Sequence, residues 1–364
     1  MLWTVFAVFL CLIASVPASL LAYRKLRQAR AVAILKIESV SGIQEEGFIP
    51  IGRIDQWLSI RGEDRNNPVL LILHGGPGSC YSIFTPHLHS WERHFTIVQW
   101  DQRGAGKTLK GMGTAGCGEI SLSRLAEDAI ELAEYLRTRL RTDRIFLLAS
   151  SLGSTFGVEV ALRRPDLFYA YIGTDQNVGM VRGREESHRE LLNRLRKAGM
   201  TKGVRTVERI EADATRWSTK DFTTVAQWTM KSDRSGYRRT IKLLKDAVWF
   251  APGWTLRDIR VFVKGMHFSL EQLLPEIVRY DAWARGTRFD LPMFVFQGEN
   301  DVLTRTVEAQ DYFADIEAPL KGMELIPGAG HFAMFLEPEL FLEKLLTHVR
   351  PLAFTLTAEM GSRA

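Results

Sequence analysis

The chain has 364 residues, 46% hydrophobic and 24% charged, a globular balance with ample length for one elaborated domain or two smaller ones. Lys and Arg outnumber Asp and Glu by 47 to 42, and this net charge of +5 lies in helical stretches rather than in a basic stripe interleaved with aromatics, which excludes nucleic acid as the partner. Three cysteines (Cys11, Cys80 and Cys117) make no disulfide framework and fit reduced thiols in a reducing compartment.

Leu2 to Ala22 carries no charge and is long enough to cross a bilayer as a helix. Tyr23 and the cations Arg24, Lys25, Arg27 and Arg30 follow, an interfacial aromatic and then a basic flank. Residues 1–23 therefore read as a single-pass transmembrane anchor, with the catalytic domain in the cytoplasm by the positive-inside tendency. Secretion after cleavage near Val16-Pro17-Ala18 is the alternative; the absence of Lys or Arg ahead of the apolar core argues against it.

Residues 24–46 read as a connector, after which the α/β rhythm begins. Phe48 to Ile60 alternates apolar and polar residues around Gly52, as an antiparallel strand pair does. Val69 to Leu73 is a continuous apolar strand that ends in His74-Gly75-Gly76-Pro77-Gly78. Glycines there leave backbone amides uncovered, as an oxyanion hole requires; a plain glycine turn and a phosphate loop are the competing readings. Phe95 to Trp100 is the next strand and runs into Asp101-Gln-Arg-Gly-Ala-Gly-Lys-Thr108. This is no P-loop, because the first required glycine falls at Asp101; an ion pair between Asp101 and Arg103 is expected to pin the turn. Leu122 to Leu140 has helical periodicity.

The apolar run Ile145 to Ala149 stops at Ser150-Ser151-Leu152-Gly153, and a helical segment follows from Ser154 to Arg163. That is the Gly-x-Ser-x-Gly turn with Ala149 in place of the first glycine, and it makes Ser151 the nucleophile. Tyr169 to Gly173 reads as the sixth strand. From about Asn177 to Arg285 the pattern turns helical, densely charged and rich in Trp, an insertion without a convincing buried strand. Strands resume at Leu291–Gln297, followed by Asp301, and at Gly322–Ile326, followed by Pro327-Gly-Ala-Gly-His331. Phe341 to Val349 reads as the last helix.

Taken singly, Asp301 could be a helix cap toward Thr304, and His331 a turn residue in a glycine loop. Glu299 is a rival carboxylate. Together, Ser151, Asp301 and His331 follow the right strands in the chain order that a doubly wound sheet gives a serine hydrolase. His331 as the base predicts that activity falls as it protonates, below about pH 6 to 7.

With His74 to Gly78, Asp101 to Thr108, the Ser151 turn, Asp301 and His331 in hand, the chain resembles the α/β-hydrolase superfamily, and within it the proline iminopeptidase branch. The resemblance covers roughly residues 47 to 350. It implies a mostly parallel eight-stranded sheet with a helical cap inserted after strand six, and neither metal nor cofactor. It also implies an oxyanion hole from the Leu152 amide and one from Gly75 or Gly76. The expected division is core over 47–174 and 287–356, cap over 175–286, and a tail over 357–364. Two departures stand out: Ala-Ser-Ser-Leu-Gly replaces the usual Gly-Gly-Ser-Trp-Gly, and the cap lacks the Trp-Glu-Gly segment near which the branch places its substrate-binding glutamates. Glu185, Glu186 and Glu190 are the substitutes by location, with solvated helix charges as the other reading.

The expected function is a serine hydrolase that cleaves a peptide or amide bond near a free amino terminus, through an acyl-enzyme, on a short peptide or other small molecule. Carboxylic ester hydrolysis is the alternative. A non-catalytic binding protein on this fold is the third reading, and it would be expected to lack a member of the triad. Hydrolases with an Asp nucleophile do not match Ser151.

Overall fold

A computed structural model describes residues 2–179, 181, 182 and 184–354; the side chains of residues 2–15, 184 and 185 lie outside that description. So does the expected tail over 357–364.

Eight strands form one sheet: β1 (Ile43–Ile51), β2 (Ile54–Gly62), β3 (Val69–Leu73), β4 (Thr96–Asp101), β5 (Ile145–Ser150), β6 (Phe168–Thr174), β7 (Met293–Gly298) and β8 (Lys321–Ile326). Their order across the sheet is β1-β2-β4-β3-β5-β6-β7-β8. β2 is antiparallel to both of its neighbours, and every other pairing is parallel. The apolar runs of β3 and β5 have no polar alternation because both faces are covered. Leu71, Leu73, Leu147 and Ala149 enter the core on one side, and Leu70, Ile72, Phe146 and Leu148 the core on the other.

The helices of the first half are α1 (Leu2–Ile34), α2 (Gly106–Gly116), α3 (Leu122–Leu140) and α4 (Leu152–Arg163). Between β6 and β7 the regular structure is helical: α5 (Arg184–Lys197), α6 (Thr201–Val207), α7 (Thr219–Ser232), α8 (Arg234–Phe250), α9 (Leu256–Ile277) and α10 (Ala282–Arg285). The chain closes with α11 (Thr306–Asp315), α12 (Ala333–Leu336), α13 (Pro338–Lys344) and a π-helical turn at Leu345–Val349, where one longer helix was expected.

Two expectations are corrected here. The first is the turn after β4. Arg103 does not pair with Asp101; its guanidinium grips Asp128 of α3 with two hydrogen bonds, of 2.6 and 3.1 Å, and donates to the Cys117 and Glu119 carbonyls. A fully buried guanidinium needs acceptors for several of its N–H groups, and the neighbouring helix supplies them. Asp101 instead accepts from the Lys107 amide and the Ser82 hydroxyl.

The second is the amino-terminal anchor. Among the described residues no helix is long and apolar enough to cross a membrane. That finding overturns the single-pass localisation read from residues 1–23 and leaves the transmembrane helix and the membrane partner without support. The expected basic flank explains the difference, because α1 continues through it and docks on the helical insertion. Arg24 is buried, donating from Nε to the Trp249 carbonyl and from Nη2 to the Trp254 carbonyl, both at 2.8 Å. One turn on, buried Gln28 donates to the Ala251 and Trp254 carbonyls. These carbonyls lie where α8 ends and its last acceptors lack helical partners, so Arg24 caps that end. Arg27 covers the Phe250 ring at 4.8 Å, and Tyr23 meets the same ring edge-on.

Arg24→Ala is therefore expected to lower the stability of the full chain by about 1–3 kcal/mol, because it takes the Arg24 donor from the Trp249 carbonyl and leaves the Trp254 carbonyl to Gln28 alone. Urea unfolding would register this as an earlier midpoint; an unchanged midpoint would mean that the docked helix contributes nothing.

Candidate active site

The site lies beyond the carboxyl ends of five neighbouring strands, next to the point where the strand order reverses around β3 and β4, and open parallel sheets bind ligands at such an edge. β3 and β5 pair with Leu73 opposite Ala149, so the loop after β3 lies alongside the turn after β5. β6 ends with Thr174 opposite Ser150, and β7 and β8 end with Gly298 opposite Ile326.

Ser151 sits between β5 and α4 with φ 53° and ψ −123°, a conformation that side chains other than glycine rarely adopt. Such a turn requires small neighbours. A Cβ at Gly153 would fall 2.3 Å from the Leu73 carbonyl oxygen, and one at Gly157 would fall 2.7 Å from the Ala149 methyl. Gly157 thus makes room for alanine where the motif has its first glycine. The Ser151 Oγ lies 3.1 Å from His331 Nε2, and His331 Nδ1 lies 2.9 Å from Asp301 Oδ2. Leu152 opens α4, so its N–H is a first-turn amide that the helix does not use.

Asp301 is buried and held from several directions. Its Oδ1 accepts from the Leu303 and Thr304 amides, and its Oδ2 accepts from the Thr304 hydroxyl at 2.6 Å and from Gln297 at 3.3 Å. It is both a turn former and the partner of the imidazole. The rival Glu299 turns elsewhere and accepts from the Gly328 amide. The acid and histidine loops are joined by Asn300 N–H to the Ala329 carbonyl, and Gly298 lets them meet, since a Cβ there would fall 2.3 Å from the Gly330 oxygen.

The glycine loop after β3 is fixed by its own histidine. Burial lowers the His74 pKa to about 4, so the ring is neutral. Its Nδ1 faces the Gly75 carbonyl at 2.7 Å, and its Nε2 accepts from the Gln102 amide. Ser79 Oγ also donates to the Gly75 oxygen. With that carbonyl held, the Gly76 N–H of the same trans peptide points to the opposite side. Gly75 itself touches the Ser151 turn, and a Cβ on it would fall 2.8 Å from the Ser151 Cβ.

The three glutamates expected to hold substrate fare differently. Glu190 is bonded to Arg194 at 3.0 Å and to Arg305 at 2.6 Å, so two guanidiniums already compensate its charge. Glu186 is exposed, and the side chain of Glu185 lies outside the described residues. Glu190 and both arginines line a cavity of about 410 Å³ that also reaches Asp233, Glu299 and Asp301.

One residue that the sequence reading missed is Asp175, directly after β6 and fully buried. Among the described residues, Asp175, Asp301 and His331 are the cluster whose ligand-type atoms come within 4.8 Å of one another. Its sequence signal was available: an acid just past an apolar strand, as Asp301 is past β7.

A sequence model of the alpha/beta hydrolase fold family matches residues 68–338. The chain belongs to the α/β-hydrolase family. Within that family it is 26% identical over 309 residues to a probable aminopeptidase, YbaC, of Bacillus subtilis (strain 168), a match covering 83% of this chain and 95% of the relative. Among solved structures it is similar to a proline iminopeptidase-related protein from Thermus thermophilus (TM-score 0.54, 22% identity, 85% of this chain and 98% of that one). It is also similar to a thermophilic esterase from Thermogutta terrifontis (TM-score 0.56, 16% identity, 85% and 99%). The proline iminopeptidase-like resemblance of the sequence accords with these relatives, and the hydrolase class follows from the family.

The electrostatics of this hydrolase site correct the expected pH range. Burial favours the neutral His331 ring, but the Asp301 and Asp175 carboxylates outweigh burial and push its pKa up to about 9. For the expected role of His331 as general base, which requires the unprotonated ring, activity is lost as pH falls through a raised pKa rather than below about pH 6 to 7. The kcat/KM profile between roughly pH 5 and pH 10 should therefore rise on the alkaline side of 6.5, the ordinary histidine value. A profile already flat above 6.5 would contradict this.

Proposed function

We propose that this hydrolase is a serine hydrolase that cleaves a peptide or amide bond near a free amino terminus, through an acyl-enzyme. The observation that carries this reading is the continuous relay from Ser151 Oγ to His331 Nε2, and from His331 Nδ1 to Asp301. In this mechanism His331 takes the serine proton as Oγ attacks the carbonyl carbon. Asp301 holds the Nδ1–H tautomer and stabilises the imidazolium that forms. The amides of Leu152 and Gly76 stabilise the developing oxyanion. His331 then gives its proton to the leaving amine, and a water deprotonated by the same ring attacks the acyl-enzyme and releases the acid.

Residues 175–286 act in this proposal as a cap over the strand ends. The cavity between the helical segment and the loop after β7 is lined by the carboxylates Glu190, Asp233, Glu299 and Asp301 against the guanidiniums Arg194 and Arg305. That excess of negative charge suits a cationic amino terminus, and the likeness to a probable aminopeptidase supports the same choice.

A second reading, carboxylic ester hydrolysis, has an observation of its own. Phe332 meets His331 at 4.8 Å and continues into an aromatic group of Tyr81, Phe84 and Phe335. The partly exposed Phe332 ring, backed by these buried rings, suits an acyl chain as well as a prolyl ring.

Prolyl- and alanyl-arylamides assayed beside short acyl aryl esters, with Ser151→Ala as the blank, separate the two. Arylamide turnover, with Ser151→Ala reduced on the order of 10⁴-fold or more, is the expected outcome. Turnover of esters alone would replace the peptidase by an esterase, and full activity in Ser151→Ala would remove the serine mechanism.

A further inference from the structure

Asp175 lies outside the relay yet is bonded to the residues beside Ser151 and His331. Its backbone is left-handed at φ 47°, and the residue is fully buried. The Oδ1 atom accepts from the Phe332 amide at 3.0 Å and from the Ala333 amide at 3.4 Å. These are the two residues that follow His331, and Phe332 is itself left-handed at φ 70°. The Oδ2 atom accepts from Ser150 Oγ at 2.9 Å, next to the nucleophile. Ser150 Oγ also meets the Tyr81 hydroxyl at 2.9 Å, and Tyr81 packs against Gly75, where an added Cβ would fall 2.9 Å from its oxygen. One carboxylate therefore ties the turn after β8 to the turn after β5, and through Tyr81 to the glycine loop after β3.

We propose that Asp175 is a positioning residue of the hydrolytic site, holding the turn that carries His331 in register with Ser151 and acting on the reaction through His331. This rests on the serine hydrolase reading above. A left-handed residue directly after the base is a conformation that only surrounding contacts can maintain, and the Phe332 amide is the group that Asp175 holds. All three groups bonded to Asp175 point a hydrogen at it, an arrangement that suits the ionised carboxylate. Burial, joined by the Asp301 charge, raises the Asp175 pKa on balance, while the His331 charge and the hydrogen bonds from Ser150 and Ala333 pull it down. The charged groups facing His331 are Asp301, from the loop after β7, and Asp175, from the end of β6; both favour its protonated form. Those facing Asp175 are His331 and Asp301, with the Tyr81 hydroxyl beyond Ser150.

The test follows the rate at which an aryl organophosphonate labels the full chain, across pH, by intact mass. Asp175→Asn keeps the size of the side chain and an oxygen for the Phe332 amide but removes the charge. Its labelling should slow about 10- to 100-fold, the scale of a displaced base. The acid limb of its profile should also move down by roughly one pH unit, because a charge close to His331 is gone. Labelling at the native rate, or slowed labelling with the limb in place, would overturn the proposal, since a packing role alone leaves the His331 titration where it was. Should Asp175→Asn fail to fold, Ser150→Ala carries the same decision. It leaves the charge in place but removes the hydroxyl dipole that offsets it, so the limb should move up rather than down, and an unmoved limb overturns the proposal. Native protein that takes no label at all would instead remove the serine hydrolase reading, and this proposal with it.

Discussion

The arrangement of this site depends on one constraint, the reversal of the chain at Ser151. A buried strand becomes a buried helix across a single residue, and that residue must hold φ 53° and ψ −123°. A non-glycine residue in that region costs on the order of 1–3 kcal/mol, so it persists only where the surroundings determine it. Here they do so by close packing: Gly153 on the end of β3, Gly75 on Ser151 itself, and Gly157 on Ala149. The reversal exposes the hydroxyl at the sheet edge and leaves the first amide of α4 beside it. It also sets the height at which the neighbouring loops must arrive.

Those loops are held by polar contacts that the low dielectric of the interior makes both strong and demanding. His74 fixes the Gly75 carbonyl, Asp301 is bonded on both oxygens before it meets His331, and Asp175 bridges the residues next to His331 and next to Ser151. Each buried polar group in this set has its partners, so the network specifies one geometry. The helices between β6 and β7 are braced from the far end of the chain, where Arg24 and Gln28 seal the end of α8. The amino-terminal helix is thereby part of the catalytic domain's packing.

Much of this was legible in the sequence because it is local. Buried parallel strands leave unbroken apolar runs, and strained turns leave glycines, so Val69–Leu73 with its glycine loop, Ile145–Ala149 with Ser151, and the strands before Asp301 and His331 could be read in order. The misreadings are of partners distant along the chain. Arg24 resembled the basic flank of a membrane span, since nothing near it in sequence reveals acceptors at Trp249 and Trp254. Arg103 was assigned the nearest acid, whereas the buried guanidinium found Asp128 on the following helix. Asp175 carries only the signal of an acid just past an apolar strand, and its meaning arises once β6 lies between β5 and β7. The His331 titration was misjudged for the same reason: its pKa depends on the balance between burial and two carboxylates, and one of them was unseen.

The most direct test of the central claim is to locate the adduct that an organophosphonate leaves on the native chain, by peptide mass spectrometry. Three serines, Ser150, Ser151 and Ser154, stand within five residues at this turn, and only Ser151 is bonded to His331. A single adduct on Ser151 is the predicted result. An adduct on Ser150 or Ser154, or none anywhere on the folded protein, would contradict the account.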